Sequence, residues 1–190
     1  VSYPWDVTVD GAGSLYIVDA NNHVIREVAA GTGIITTAVG NGDQGYGGDG
    51  GMATQAELDD PEGMAVDGAG NLYIADSNNN VIRKVAAGTG IISTVAGVAG
   101  TGKQGYSGDG GPAVQAMLAD PLGVAVDEAG NLYIADSGNN VIRKVAAGTG
   151  IITTIVGTGT AGYSGDGGPA ADAEVSPAGV MVDRTGNLYI

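Results

Sequence analysis

Residues Pro61 to Gly97 read PEGMAVDGAGNLYIADSNNNVIRKVAAGTGIISTVAG, and sixty residues later Pro121 to Gly157 read PLGVAVDEAGNLYIADSGNNVIRKVAAGTGIITTIVG. Pro4 to Gly40 is a further copy, PWDVTVDGAGSLYIVDANNHVIREVAAGTGIITTAVG, and Pro177 to Ile190 opens another, PAGVMVDRTGNLYI. The prolines that begin these copies step by 57, 60 and 56 residues. Self-similarity at a near-constant period means that one structural unit is reused. The chain is therefore read as one tandem array, with repeats 4–60, 61–120 and 121–176 and a partial repeat 177–190.

Within a unit the signals are for strands. Met64 to Val66 is a short apolar run, Leu72-Tyr73-Ile74-Ala75 is rich in β-formers, and Val81 to Val85 and Ile91 to Val95 follow. Between them lie turn residues: Asp67-Gly68-Ala69-Gly70-Asn71, Asp76-Ser77-Asn78-Asn79-Asn80 and Ala86-Ala87-Gly88-Thr89-Gly90. Strands of about five residues joined by short turns make a four-stranded antiparallel meander. Leu72 to Ala75 has no polar side to give to water, so both faces of the sheet need cover. A meander repeated in tandem covers itself by stacking on the next copy, and radial stacking gives a β-propeller. A β-helix is the runner-up, but its coils are too short for four hairpin-linked strands. The fold class is therefore all-β, a propeller of four-stranded antiparallel blades.

Between the last strand of each copy and the next proline lies an insert, for example GVAGTGKQGYSGDGGPAVQAMLAD at 97–120. Its second half, Pro112 to Leu118, reads as one or two helical turns that bury Ala113, Ala116 and Met117. Pro112 takes the first helical position, and Leu118, like Leu58 and Val175, plugs a joint between blades.

Composition narrows the partners. Asp and Glu number 21 against 7 Lys and Arg, a net charge of −14, which disfavours nucleic acid and anionic membrane surfaces. The absence of cysteine removes disulfides, thiolate metal sites and thiol nucleophiles. No apolar run reaches the length needed to span a bilayer as a helix. Glycine, at 36 of 190 residues, follows no G-X-Y period, so collagen is excluded.

The pattern P-x-G-V-x-V-D-x-x-G-N-L-Y-I-A-D-S-x-N-N-x-I-R resembles the NHL repeat, and the G-Y-S-G-D-G-G-P-A inserts resemble those of bacterial extracellular repeat proteins. The resemblance implies a ring, most often six-bladed, that serves as a binding platform at the cell surface or outside the cell. It also implies that a minority of relatives are lyases or hydrolases with a metal in the central channel. Three full meanders and half of a fourth do not close such a ring. The expectation is an excerpt of a longer chain, or chains that join by strand addition into a self-assembled structure.

Candidate sites are weighed against repetition, since a residue found in every copy builds the blade. The pairs Asp19/Arg26, Asp76/Arg83 and Asp136/Arg143 are read as ion pairs across a hairpin. Asp10, Asp67, Asp127 and Asp183 are read as turn caps, with a ring of carboxylates at the channel mouth as the functional alternative. Tyr46, Tyr106 and Tyr163 are read as packing over blade edges with their hydroxyls bonded. Asp49, Asp109 and Asp166, in the glycine-rich loops, are candidate calcium ligands, although the loops lack EF-hand spacing. Departures from the repeat mark candidate binding residues: Trp5 and Asp6, where other copies carry Glu62 and Gly63, and His23, where they carry Asn80 and Asn140. No catalytic residue is assigned. The expected partner is a protein or a small cationic ligand, with self-association as a further possibility of the repeat.

Overall fold

The computed structural model describes residues Val1–Ile190. Fourteen strands form three four-stranded antiparallel sheets and one two-stranded sheet, each ordered as in the sequence. The first blade holds β1 (Pro4–Val9), β2 (Leu15–Asp19), β3 (Val24–Val28) and β4 (Ile35–Val39). The second holds β5 (Pro61–Val66), β6 (Leu72–Asp76), β7 (Val81–Val85) and β8 (Ile92–Ala96). The third holds β9 (Pro121–Val126), β10 (Leu132–Asp136), β11 (Val141–Val145) and β12 (Ile152–Val156), and β13 (Met181–Val182) pairs with β14 (Leu188–Tyr189). The architecture is that of stacked propeller blades.

The turns follow from local chemistry. The β2–β3, β6–β7 and β10–β11 connections are single 3-10 turns that end on a left-handed residue, His23, Asn80 or Asn140. Asparagine tolerates that conformation better than most side chains. The β1–β2 and β5–β6 turns close on Asp10 and Asp67, whose carboxylates accept backbone N–H bonds from two and four residues on.

Burial is decided by the neighbour. Every residue of β6 and β10 is buried, with a blade on each side, whereas β2 is buried only at Val18 and Asp19. One core joins Val18, Ile25 and Val39 of the first blade to Met64, Leu72 and Ile92 of the second; a second core repeats this between the second and third blades. Leu58 and Leu118, each fully buried, sit in these joints. Burying such a side chain contributes roughly 1.5–3 kcal/mol. The first blade turns an uncovered face outward, with Trp5, Val7, Val9 and Ile35 exposed. The rule that every sheet is covered on both faces thus holds for the second and third blades and not for the first.

The inserts correct the helical expectation. Each carries only a three-residue 3-10 turn: Ala53–Gln55, Ala113–Gln115 and Ala170–Asp172. Pro112 caps this turn in extended conformation instead of opening it, and Ala116 is already extended. Residues at i and i+3 lie on one side of a 3-10 turn. Ala113 and Ala116 are therefore still buried together, while Met117 is only half-buried.

Candidate functional site

The repeated polar residues converge on one construction, seen in full in the second and third blades. Asp76 ends β6 and Arg83 lies on β7, and both side chains are fully buried. Arg83 Nη1 donates to Asp76 Oδ2 at 3.1 Å, and Nη2 donates to Asp49 Oδ1 at 2.7 Å and to the Gly47 carbonyl at 2.9 Å. The Tyr46 ring lies 4.8 Å from the guanidinium carbon, and its hydroxyl bonds Thr94 on β8. The third blade repeats the set with Arg143, Asp136, Asp109, Tyr106 and Thr154. A buried guanidinium needs such partners, because desolvation costs several kcal/mol per ion. Burial pushes the Asp76 and Asp136 carboxyls up, opposed by backbone amides, asparagine and arginine. Burial also works against ionisation of Asp49 and Asp109, but arginine and threonine hold both carboxyls below the usual range.

The glycines of this loop have a steric reason. Gly48 and Gly108 have φ of +87° and +92°, and a Cβ on either would meet the Cα of Ala56 or Ala116 at 2.7 or 2.6 Å. Asp49 and Asp109 thereby reach arginine, while Asp166 has only the Tyr163 hydroxyl, at 3.4 Å. No three Asp, Glu or His side chains gather in a geometry that would hold a metal ion.

The divergent residues behave differently from one another. His23 Nδ1 accepts the Asp60 N–H at 3.2 Å, the same duty that Asn80 Oδ1 performs for the Asp120 N–H at 2.8 Å. Asp6 accepts the amides of Val7 at 2.7 Å and of Met64, on the next blade, at 2.8 Å. Trp5 is 51% exposed and meets Tyr3 edge to face, with centroids 5.5 Å apart.

Trp5, Asp6, Glu62, Gly63, Leu122, Gly123, Ala178 and Gly179 line a groove of about 670 Å³ along the first strands of successive blades. Trp5, Glu62, Leu122 and Ala178 occupy one repeat position and share no chemistry. Glu62 is the residue the sequence reasoning missed as a site. Burial, with Asp60 and Asp120 nearby, pushes its carboxyl up to about 7. The available signal was an acid in a first-strand position that other copies fill with apolar side chains. At one end of the groove Asp67, Asp127 and Asp183 line a smaller cavity with Arg184. The Asp67 and Asp127 carboxylates there bind their own turns, including Asn71 and Asn131.

A family profile described as the Teneurin NHL domain matches residues 41–104 and 98–164. Human Teneurin-1 is 34% identical over 151 residues, 70% of this chain and 5% of that protein. Bovine NHL repeat-containing protein 2 is 28% identical over an alignment covering 99% of this chain and 29% of that protein. A structural-genomics protein of unknown function from Bacteroides thetaiotaomicron superposes with a TM-score of 0.73 at 24% identity, over 96% of this chain and 42% of that one. Virginiamycin B lyase from Staphylococcus aureus gives 0.56 at 16%, over 96% and 46%. At these identities the structural likeness speaks for the fold alone. The chain spans less than a third of each curated relative and less than half of each solved structure.

Proposed function

The chain belongs to the NHL-repeat family, and from that premise we propose that it is a non-catalytic binding module whose first-strand groove receives a cationic protein segment or small cationic ligand. The observation that carries this reading is the distribution of chemistry. The repeated polar residues are engaged within and between blades, and the residues that vary among copies line the groove. Trp5 offers an exposed aromatic face, and a cation over such a face gains about 0.5–1 kcal/mol. Glu62 lies along the same groove with a carboxyl at about 7, ionised above that pH and neutral below it.

Trp5 is the sole tryptophan, so its emission reports the site directly. Tetralysine, titrated at about pH 8, is expected to shift that emission saturably, and at about pH 6 the affinity is expected to fall several-fold as Glu62 takes up its proton. Glu62→Gln is expected to remove this pH dependence and most of the affinity. Binding unchanged in Glu62→Gln would count against the groove.

The finer assignments belong to the same proposal. The glycine-rich inserts and the lack of cysteine support placing the chain with the bacterial extracellular type. Strand starts at Pro4, Pro61 and Pro121 support the repeat boundaries 4–60, 61–120 and 121–176, with 177–190 as a partial repeat. Arginine, in preference to calcium, is assigned as the partner of Asp49 and Asp109.

A further inference from the structure

Each complete clamp is built by an insert and closed by the blade that follows it. Asp49 meets Arg83, and Asp109 meets Arg143, both 34 residues downstream. The same inserts add backbone to the outer strand. Gly50 N donates to the Ile92 carbonyl, Ile92 N donates to the Gly51 carbonyl, and Ala53 N donates to the Gly90 carbonyl. Gly110, Gly111 and Ala113 repeat these bonds with Ile152 and Gly150. Tyr46 and Tyr106 complete the set on Thr94 and Thr154.

The first blade has the receiving half of this clamp and none of the donating half. Its outer strand β4 has no insert on its free edge: Ile35 is 43% exposed, where Ile92 and Ile152 are fully buried. Arg26 approaches Asp19 only to 3.9 Å, and its side chain is 27% exposed where Arg83 and Arg143 are fully buried. Asp19 is itself fully buried, and its Oδ2 has no hydrogen-bond partner. The residue 34 positions upstream of Arg26 would lie ahead of Val1.

The third insert has the opposite deficit. Tyr163 is 89% exposed, Asp166 meets no arginine, and the amides of Gly167 and Ala170 lack the strand bonds that Gly110 and Ala113 make. Within residues 1–190, one socket stands without a loop and one loop without a socket.

We propose that the Asp19–Arg26 socket and the β4 edge are a docking site for a Gly-Tyr-Ser-Gly-Asp-Gly-Gly loop, and that the occupant is the Tyr163–Gly168 loop of a second copy of this chain. Complementarity argues for that occupant. The loop carries the carboxylate, the tyrosyl hydroxyl and the free amides that the socket's guanidinium, Thr37 and Ile35 carbonyl lack. The incoming blade takes the place of the short β13–β14 hairpin, which pairs over only two residues per strand. The contact is head to tail, so it forms open chains of copies unless the rotation closes.

Sedimentation velocity on the full chain tests this with three samples: Arg26→Met, Asp166→Asn and their mixture. The wild-type chain is expected to form dimers and larger species at concentrations on the order of 100 µM. Each single variant is expected to associate roughly thirty-fold more weakly, as when one member of a desolvated charge pair is removed. The mixture retains one intact loop and one intact socket on different chains, and is expected to recover dimers and nothing larger. A peptide spanning residues 160–171 is expected to dissociate the wild-type species. Asp166→Asn alters an exposed loop, so that arm remains readable even if Arg26→Met folds poorly. A monomeric wild type, association indifferent to Asp166→Asn, or a mixture that stays monomeric would each overturn the proposal. Peptide binding to a chain that stays monomeric would overturn the second copy as occupant.

Discussion

At the scale of the residue, divergence from the repeat separates into two kinds. His23 looks exceptional as the single histidine, yet it reproduces asparagine's hydrogen bond to the neighbouring blade. The bond requires a bare Nδ1, so the ring is neutral there with its proton on Nε2. His23→Asn is expected to leave stability within about 0.5 kcal/mol, because the repeat already uses asparagine here. His23→Ala is expected to cost about 1–2 kcal/mol, since the Asp60 amide loses its acceptor and a left-handed alanine is strained. Urea denaturation of both variants measures the difference, and equal losses would remove the hydrogen bond as the reason. Glu62 is the other kind: no backbone group claims its carboxylate, which stands in the groove among first strands.

At the scale of the element, the insert acts as a strap. It crosses from one blade to the next, adds backbone to the outer strand, and delivers a carboxylate to a buried arginine. Its two acidic partners differ in weight, because Asp136 is fully buried and Asp109 is 42% exposed. Asp136→Asn is expected to cost about 3–5 kcal/mol by leaving buried charge uncompensated. Asp109→Asn is expected to cost about 1 kcal/mol, because water screens that side of the pair. Guanidinium unfolding of the two variants gives the order, and a larger loss for Asp109→Asn would reverse the assignment of roles. The strap also explains the glycines at 48 and 108, where the chain passes against alanine backbone in a conformation closed to other side chains.

At the scale of the whole molecule, stability is graded along the arc. The second blade has a neighbour on each side, the third has a full blade on one side and a two-stranded hairpin on the other, and the first has one neighbour. In repeat architectures the stability of a unit depends on its interfaces. Native-state hydrogen exchange is therefore expected to be slowest for Leu72–Asp76 and Leu132–Asp136. It is expected to be fastest for Ile35–Val39 and the β13–β14 hairpin, by two or more orders of magnitude at roughly 1.4 kcal/mol per decade. Uniform protection from β1 to β14 would mean that the blades unfold as one unit and that the open faces cost nothing.

The sequence by itself determined the repeat, the meander, the turn positions and the pairing of Asp76 with Arg83. Each rests on residues a few positions apart, where periodicity and turn chemistry are legible. It also pointed to Trp5 as divergent and to Leu58 and Leu118 as joint residues. The inserts were read as too helical, because Ala and Gln promote helix while the neighbouring strand's hydrogen bonds hold the loop extended. Only the tertiary structure decided that Asp49 belongs to Arg83, that Asp6 serves Met64 and that His23 serves Asp60. These partners lie 34, 58 and 37 residues apart, and no local pattern encodes which blade will face them. The same long-range geometry decided which faces stay open, since a strand's covering depends on what stacks against it and not on its own side chains.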